Sequence, residues 1–194
     1  MIHRRHVLKL ALTGAAALAA PAVLAQPDSS RTRIIFLGTK GGPRVGLGRS
    51  NPANVVMVNG TPFVVDCGMG VSHQLVAAGV PLETIRYILI SHHHSDHNLE
   101  YGNLAYNAWA AGLSTPIHSF GPKGLEAMTQ TYWELNRFDI ETRIADEGRP
   151  DLRKLLIAKD ITSDGVVLET ADVKVTAFRT PHPPWPASRP VALP

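Results

Sequence analysis

The sequence predicts a single domain of mixed α/β class, and three observations carry that reading. An Asn-Gly turn lies between two β-branched runs, an unbroken apolar strand occupies residues 87–90, and helical stretches alternate with the strands that follow. The chain has 194 residues, 44% of them hydrophobic, which suffices for one core.

Taken in order, residues 33–37 form a short apolar strand ending at Gly38, and a glycine-rich loop runs on to Gly48. Residues 54–58 and 63–65 flank Asn59-Gly60-Thr61-Pro62, a strong short-range hairpin signal, and the second run delivers Asp66-Cys67-Gly68. Residues 70–78 suit a short helix closed by Gly79. Tyr87-Ile88-Leu89-Ile90 lacks polar alternation and reads as a buried strand. Residues 103–111 are expected to be helical with Gly112 as terminator, 116–120 to be a strand, and 123–138 to be one longer helix. The charged stretch 139–164 has no clean period and is expected to be a partly helical surface excursion. Residues 166–168 and 173–178 complete the prediction as an antiparallel pair.

The first twenty-five residues are a different kind of sequence. Arg4-Arg5 followed by Val7-Leu8-Lys9 and an Ala/Leu/Gly run to Ala25 reads as an export signal of the twin-arginine type, which directs a protein to the bacterial periplasm already folded. The apolar part, residues 10–25, is short for a bilayer span, so cleavage is expected and no stable membrane anchor after it. Residues 26–32 are a polar linker. Arg4, Arg5 and Lys9 account for the whole net charge of +3, and without them sixteen acids balance the remaining bases. The high isoelectric point therefore belongs to the targeting peptide, and a nucleic-acid partner is not expected. Cys67 is the only cysteine, which excludes an internal disulfide and any multi-thiolate zinc site. Metal ligands must be histidine and carboxylate.

Ser91-His92-His93-His94-Ser95-Asp96-His97 supplies both, directly after a buried strand. His92 and His94 are two residues apart, so an extended backbone aims both imidazoles to one side. If the chain then turns into a helix, Asp96 and His97 project from its first turn near that pair and can hold a second ion. Neutral imidazole and carboxylate suit zinc, and two ions about 3.5–4 Å apart can share a bridging water. His93 alternates away from the two flanking histidines and is assigned no role.

Phe36-Leu37-Gly38-Thr39 with its glycine-rich loop, Val64-Val65-Asp66-Cys67-Gly68, Ile88-Leu89-Ile90-Ser91 with the histidine motif, and Gly121-Pro122 resemble the ribonuclease Z and arylsulfatase-like branch of the metallo-β-lactamase superfamily. The resemblance implies a four-layer α/β/β/α sandwich over residues 33–182, with two zinc ions at one edge between the sheets. It implies that His92 and His94 bind the first ion, that Asp96 and His97 bind the second, and that Asp66 holds the histidine loop as an acceptor behind the ligands. It also calls for a third histidine on the first zinc, a bridging aspartate and a last histidine. His182, after the strand at 173–178, is the candidate for the first of these. His73 and His118 compete with it, read respectively as a helix-surface and a strand histidine. Cys67 is read as a packed small residue.

Residues 183–194 hold five prolines in twelve positions and cannot form a central strand. The expectation is a frameshift near Pro184 or a truncated gene, leaving an incomplete second half of the sandwich, one or two zinc ions, and an exposed apolar face inviting self-association. The function implied is hydrolysis of a small-molecule ester, a phosphodiester or arylsulfate, by a metal-bound hydroxide formed from a water that Asp96 orients or deprotonates. Lactone or β-lactam hydrolysis is the enzymatic alternative, and a catalytically impaired zinc-binding fragment the non-enzymatic one.

Overall fold

Asn59 and Gly60 reverse the chain with φ of 47° and 80°, the two positive values that a two-residue hairpin turn of matching twist requires. The turn joins β2 (Ala53–Val58) to β3 (Thr61–Val65), and β1 (Arg33–Gly38) pairs antiparallel on the far side of β2. This computed structural model describes residues 32–180, so the export signal, most of the linker, His182 and the proline-rich tail lie outside the described residues.

After β3 the sheet becomes parallel. β4 (Tyr87–Leu89), β5 (Ile117–Pro122) and β6 (Leu156–Ile161) add in chain order, completing six strands in the order β1-β2-β3-β4-β5-β6. Each parallel step needs a crossover, which the helices supply. α1 (Val71–Ala77) bridges β3 to β4; α2 (Ser95–Asn98) and α3 (Tyr101–Ala110) bridge β4 to β5; α4 (Leu125–Leu135) and α5 (Arg137–Glu147) bridge β5 to β6. A separate hairpin, β7 (Gly165–Glu169) with β8 (Lys174–Ala177), forms a second, two-stranded sheet.

Cross-strand register decides what each sheet face meets. Val55, Val64, Ile88, Ser119 and Ala158 lie side by side across β2 to β6. Val55, Val64 and Ile88 of this row belong to the core with Val71 and Leu75 of α1, Leu104 and Trp109 of α3, Leu125 of α4 and Ile140 of α5, while Ala158 packs against it and Ser119 is buried. Ser119 satisfies its hydroxyl at 2.7 Å from the Tyr101 phenol, itself 2.9 Å from Thr129 Oγ1. Burial pushes the Tyr101 phenol up to about 12. The opposite face carries Val65, Leu89 and Phe120, which look across an open cleft at Val167, Val175 and Ala177 of the small hairpin. On β1 that face leaves Ile34 and Phe36 exposed, at 58% and 72%.

The mixed class and the hairpin follow the prediction, and two segments correct it. The single helix expected over 123–138 is two, interrupted at Asn136, and the second helix buries Ile140 completely. The stretch 139–164 is no mere surface excursion, because it ends in β6, paired with β5 over six residues. Asp160 fastens that strand to α4. Its carboxylate accepts from the backbone N–H of Gly124 at 2.8 Å and of Glu126 at 2.9 Å, while Glu126 Oε1 accepts from Asp160 N–H at 3.0 Å. The N–H groups of Glu126 and Gly124 hold the Asp160 carboxyl below its usual range. A depressed folded-state value contributes stability that is complete above the unfolded value of about 3.9 and is lost as pH falls through the folded one. The Asp160→Asn variant should therefore melt below the parent at neutral pH, with the gap closing below about pH 4, as thermal unfolding at several pH values will show.

Candidate metal centre

In an α/β sheet the carboxyl ends of parallel strands gather the loops that bind ligands. Here Asp66 follows β3, Ser91 to His94 follow β4, and α2 begins at Ser95. Asp66 adopts φ 64°, a left-handed conformation that aspartate tolerates better than most residues. Its N–H is fixed to Leu89 O at 2.8 Å, and its carboxylate turns toward the histidine loop.

That carboxylate is the hub of the site. Oδ1 accepts from Ser91 N–H at 2.8 Å, and Oδ2 accepts from Ser91 Oγ at 2.9 Å and from His97 Nδ1 at 2.8 Å. A carboxylate only accepts, so the proton of His97 sits on Nδ1 and its Nε2 presents a lone pair. Ser91 passes the same instruction to His92. With its hydroxyl proton given to Asp66, Ser91 Oγ accepts from His92 Nδ1 at 2.9 Å, leaving the lone pair on His92 Nε2. One aspartate thus sets the tautomers of two candidate ligands.

The donors meet in twos. His92 Nε2 lies 3.1 Å from His94 Nδ1. Two nitrogens bound tetrahedrally to zinc at 2.0–2.1 Å are separated by about 3.3 Å, so this spacing fits one ion with little adjustment. His97 Nε2 is 3.7 Å from Asp96 Oδ2, a second pair of suitable spacing, and the His92 and His97 rings are 4.1 Å apart between centroids. Among the described residues no three of these donors converge on one point, so each ion would need further ligands. His182 is one candidate outside the described residues. His73 is exposed on α1, and His118 is exposed on β5 where its ring faces Tyr87 at 6.3 Å.

Asp96 has its own support. It is 8% exposed, and its Oδ2 accepts from the backbone N–H of Gly42 at 2.8 Å, which brings the glycine-rich loop onto the site. Asn51, buried at 2%, fixes that loop from behind by donating Nδ2 to Gly42 O at 2.7 Å. Neither contact was legible in the motif, although Asn51 at the end of a glycine-rich loop is a residue type that bonds backbone carbonyls. Cys67 is fully buried, its thiol pushed well up by desolvation, and it is a packing residue. His93 was assigned no role, yet its ring bonds Asn98 and Lys123. If Ser91 transmits the tautomer of His92, Ser91→Ala should weaken zinc binding about tenfold in a chelator competition, with the fold intact.

Fold and site together define a histidine-carboxylate centre at the rim of an α/β sheet. The sequence pattern of the metallo-beta-lactamase superfamily matches residues 48–183, and the chain belongs to that superfamily. Among its relatives, ribonuclease Z of Mycolicibacterium gilvum (strain PYR-GCK) is 30% identical over 154 residues, covering 78% of this chain and 53% of that protein. Ribonuclease Z of Mycobacterium sp. (strain KMS) is 33% identical over 156 residues, with 78% and 53% covered. The chain spans about half the length of the curated relatives it matches. In fold it is similar to human tRNase Z, short form, with a TM-score of 0.60 at 22% identity over 75% of this chain and 59% of that one. A diphosphatase of the PhnP family is similar at a TM-score of 0.50 and 14% identity, covering 72% and 54%.

Proposed function

We propose that this chain carries the metal-binding part of a hydrolase acting on a small anionic ester, a phosphodiester or an arylsulfate, with zinc as the resident metal. The observation that carries the reading is the pairing of His92 Nε2 and His94 Nδ1 at 3.1 Å, with His97 aligned by Asp66. Zinc held by His92 and His94, and by Asp96 and His97, would supply Lewis acidity toward the ester and lower the pKa of a water.

The chain's own residues do the rest. Asp66 fixes the imidazole lone pairs, and Gly42 holds Asp96 by Oδ2 so that the other carboxylate oxygen orients the attacking water and takes its proton. Lys40, Arg44 and the neighbouring Arg49 belong to the loop that Gly42 anchors, and the two arginines are exposed, which favours an anionic substrate. A cleft of about 460 Å³, lined by His92 together with Leu89, Phe120, Val175 and Phe178, receives the ester's apolar part. The balanced charge outside residues 1–25 favours a small substrate over RNA, and those residues favour a periplasmic location.

The test is to purify the exported chain, measure its metal content, and assay an aryl phosphodiester, an aryl sulfate, a precursor tRNA and a β-lactam. The reading expects turnover of the first or second, lost on chelation and restored by zinc. Cleavage of the precursor tRNA alone would replace the small substrate by RNA. A second reading, a zinc-binding chain without turnover, is favoured by the two-donor count at each ion position among the described residues. Zinc bound with no hydrolysis of any substrate would establish it.

A further inference from the structure

We propose that His93 is a positioning residue that staples the ligand-bearing loop to the turn after β5; the inference rests on the metal reading above. His93 Nε2 lies 3.1 Å from the carbonyl oxygen of Lys123. A carbonyl can only accept, so Nε2 carries the proton. His93 Nδ1 lies 3.1 Å from Asn98 Nδ2 and accepts from it. One neutral tautomer satisfies both bonds, and the ring spans two segments that are otherwise joined through the β4–β5 ladder.

The staple acts where the ligand loop is least supported by itself. α2 has four residues, one turn, too short to hold its geometry alone. It nonetheless carries Asp96 and His97, and Asp66 and Gly42 grip it from the ligand side. Asn98 ends that turn, is 7% exposed, and gives its side-chain amide to His93. The receiving end is equally fixed. Gly124 takes φ 108°, and its N–H is bound to Asp160 on β6. A Cβ at Gly124 would stand 3.4 Å from His93 Nε2, so the turn and the ring lie in contact. Bonds thus run from the ligand turn through His93 to the outermost strand. Removing the ring leaves a nearly buried amide without its acceptor and frees α2 on one side, which should loosen the metal donors although His93 binds no metal itself.

The experiment uses the full chain in parent form and as His93→Leu and His93→Gln. In the metal-free parent, nitrogen NMR should find the Nε2–H tautomer at His93; the Nδ1–H tautomer would overturn the staple whatever the metal does. Cobalt titration under chelator competition should then show His93→Leu weakened about tenfold, with an altered visible spectrum. His93→Gln, which can accept from Asn98 and donate to Lys123, should recover most of the affinity and the parent spectrum. Parent affinity in His93→Leu, or equal losses in Leu and Gln, would overturn the inference. A parent that binds no cobalt would overturn the metal reading and this role with it.

Discussion

On the zinc reading proposed above, replacing Asp66 by Ala should lower zinc affinity by about 100-fold, the upper end of what an outer partner of metal ligands contributes. The expectation follows from the number of groups that converge on it. Asp66 receives Ser91 N–H, Ser91 Oγ and His97 Nδ1, so its loss releases the orientation of His97 directly and of His92 through Ser91. Ala also sits poorly at φ 64°, so part of the effect will be lost stability. Asp66→Asn separates the two. Asn tolerates the left-handed conformation and can still accept from Ser91 N–H, but an amide NH₂ cannot accept from Ser91 Oγ and His97. Chelator competition should therefore place Asn close to Ala in affinity, while thermal unfolding without metal places Asn close to the parent. An Asn variant with parent affinity would show that the lone pairs of His92 and His97 are set by something other than this carboxylate.

The contrast between Asp66 and Gly42 shows how far the sequence could be read. Asp66 ends a strand whose hairpin turn is plain, and His92, His94, Asp96 and His97 lie within six residues, so short-range periodicity brings them together. The turn into a helix, on which a separate placement of Asp96 and His97 was conditional, is present at Ser95–Asn98. Gly42 reaches Asp96 across 54 residues by its backbone, a contact that any residue type can make and no spacing announces. The same holds for His93, whose strand-like alternation away from His92 and His94 was legible and whose target, the Lys123 carbonyl thirty residues on, was not. β6 escaped for another reason. Leu156-Ile157-Ala158-Lys159-Asp160-Ile161 lies at the sheet edge and gives Asp160 to α4, so its polar residues mask the apolar run of a buried parallel strand. The break at Asn136 is masked in turn, because Arg137-Phe138-Asp139-Ile140 continues a helical period straight through it.

Gly68→Ala should destabilise the fold by about 3 kcal/mol through one methyl added beside the ligand turn. A Cβ there would fall 2.2 Å from the carbonyl oxygen of Asp96, 2.7 Å from Asn51 Cβ and 2.8 Å from the carbonyl oxygen of Pro52. Two of those atoms are backbone and the third belongs to a residue 2% exposed, so none can step aside as a side-chain tip would. Relief has to come from moving the Asp66–Gly68 segment away from α2. That motion would strain Cys67 N–H to His97 O at 2.6 Å and Gly68 N–H to Pro52 O at 3.1 Å, and would carry Asp96 off Gly42. In a chain of this size such a loss corresponds to a fall in melting temperature of about 10 °C, measurable by circular dichroism. Zinc affinity should fall with it, because the displaced segment holds both Asp66 and the backbone under Asp96. Asp66→Asn and Gly68→Ala therefore partition oppositely: the first loses metal with its fold kept, and the second loses both. A Gly68→Ala chain that melts with the parent would mean the β3–α1 turn and the ligand turn are not packed as closely as their backbones indicate.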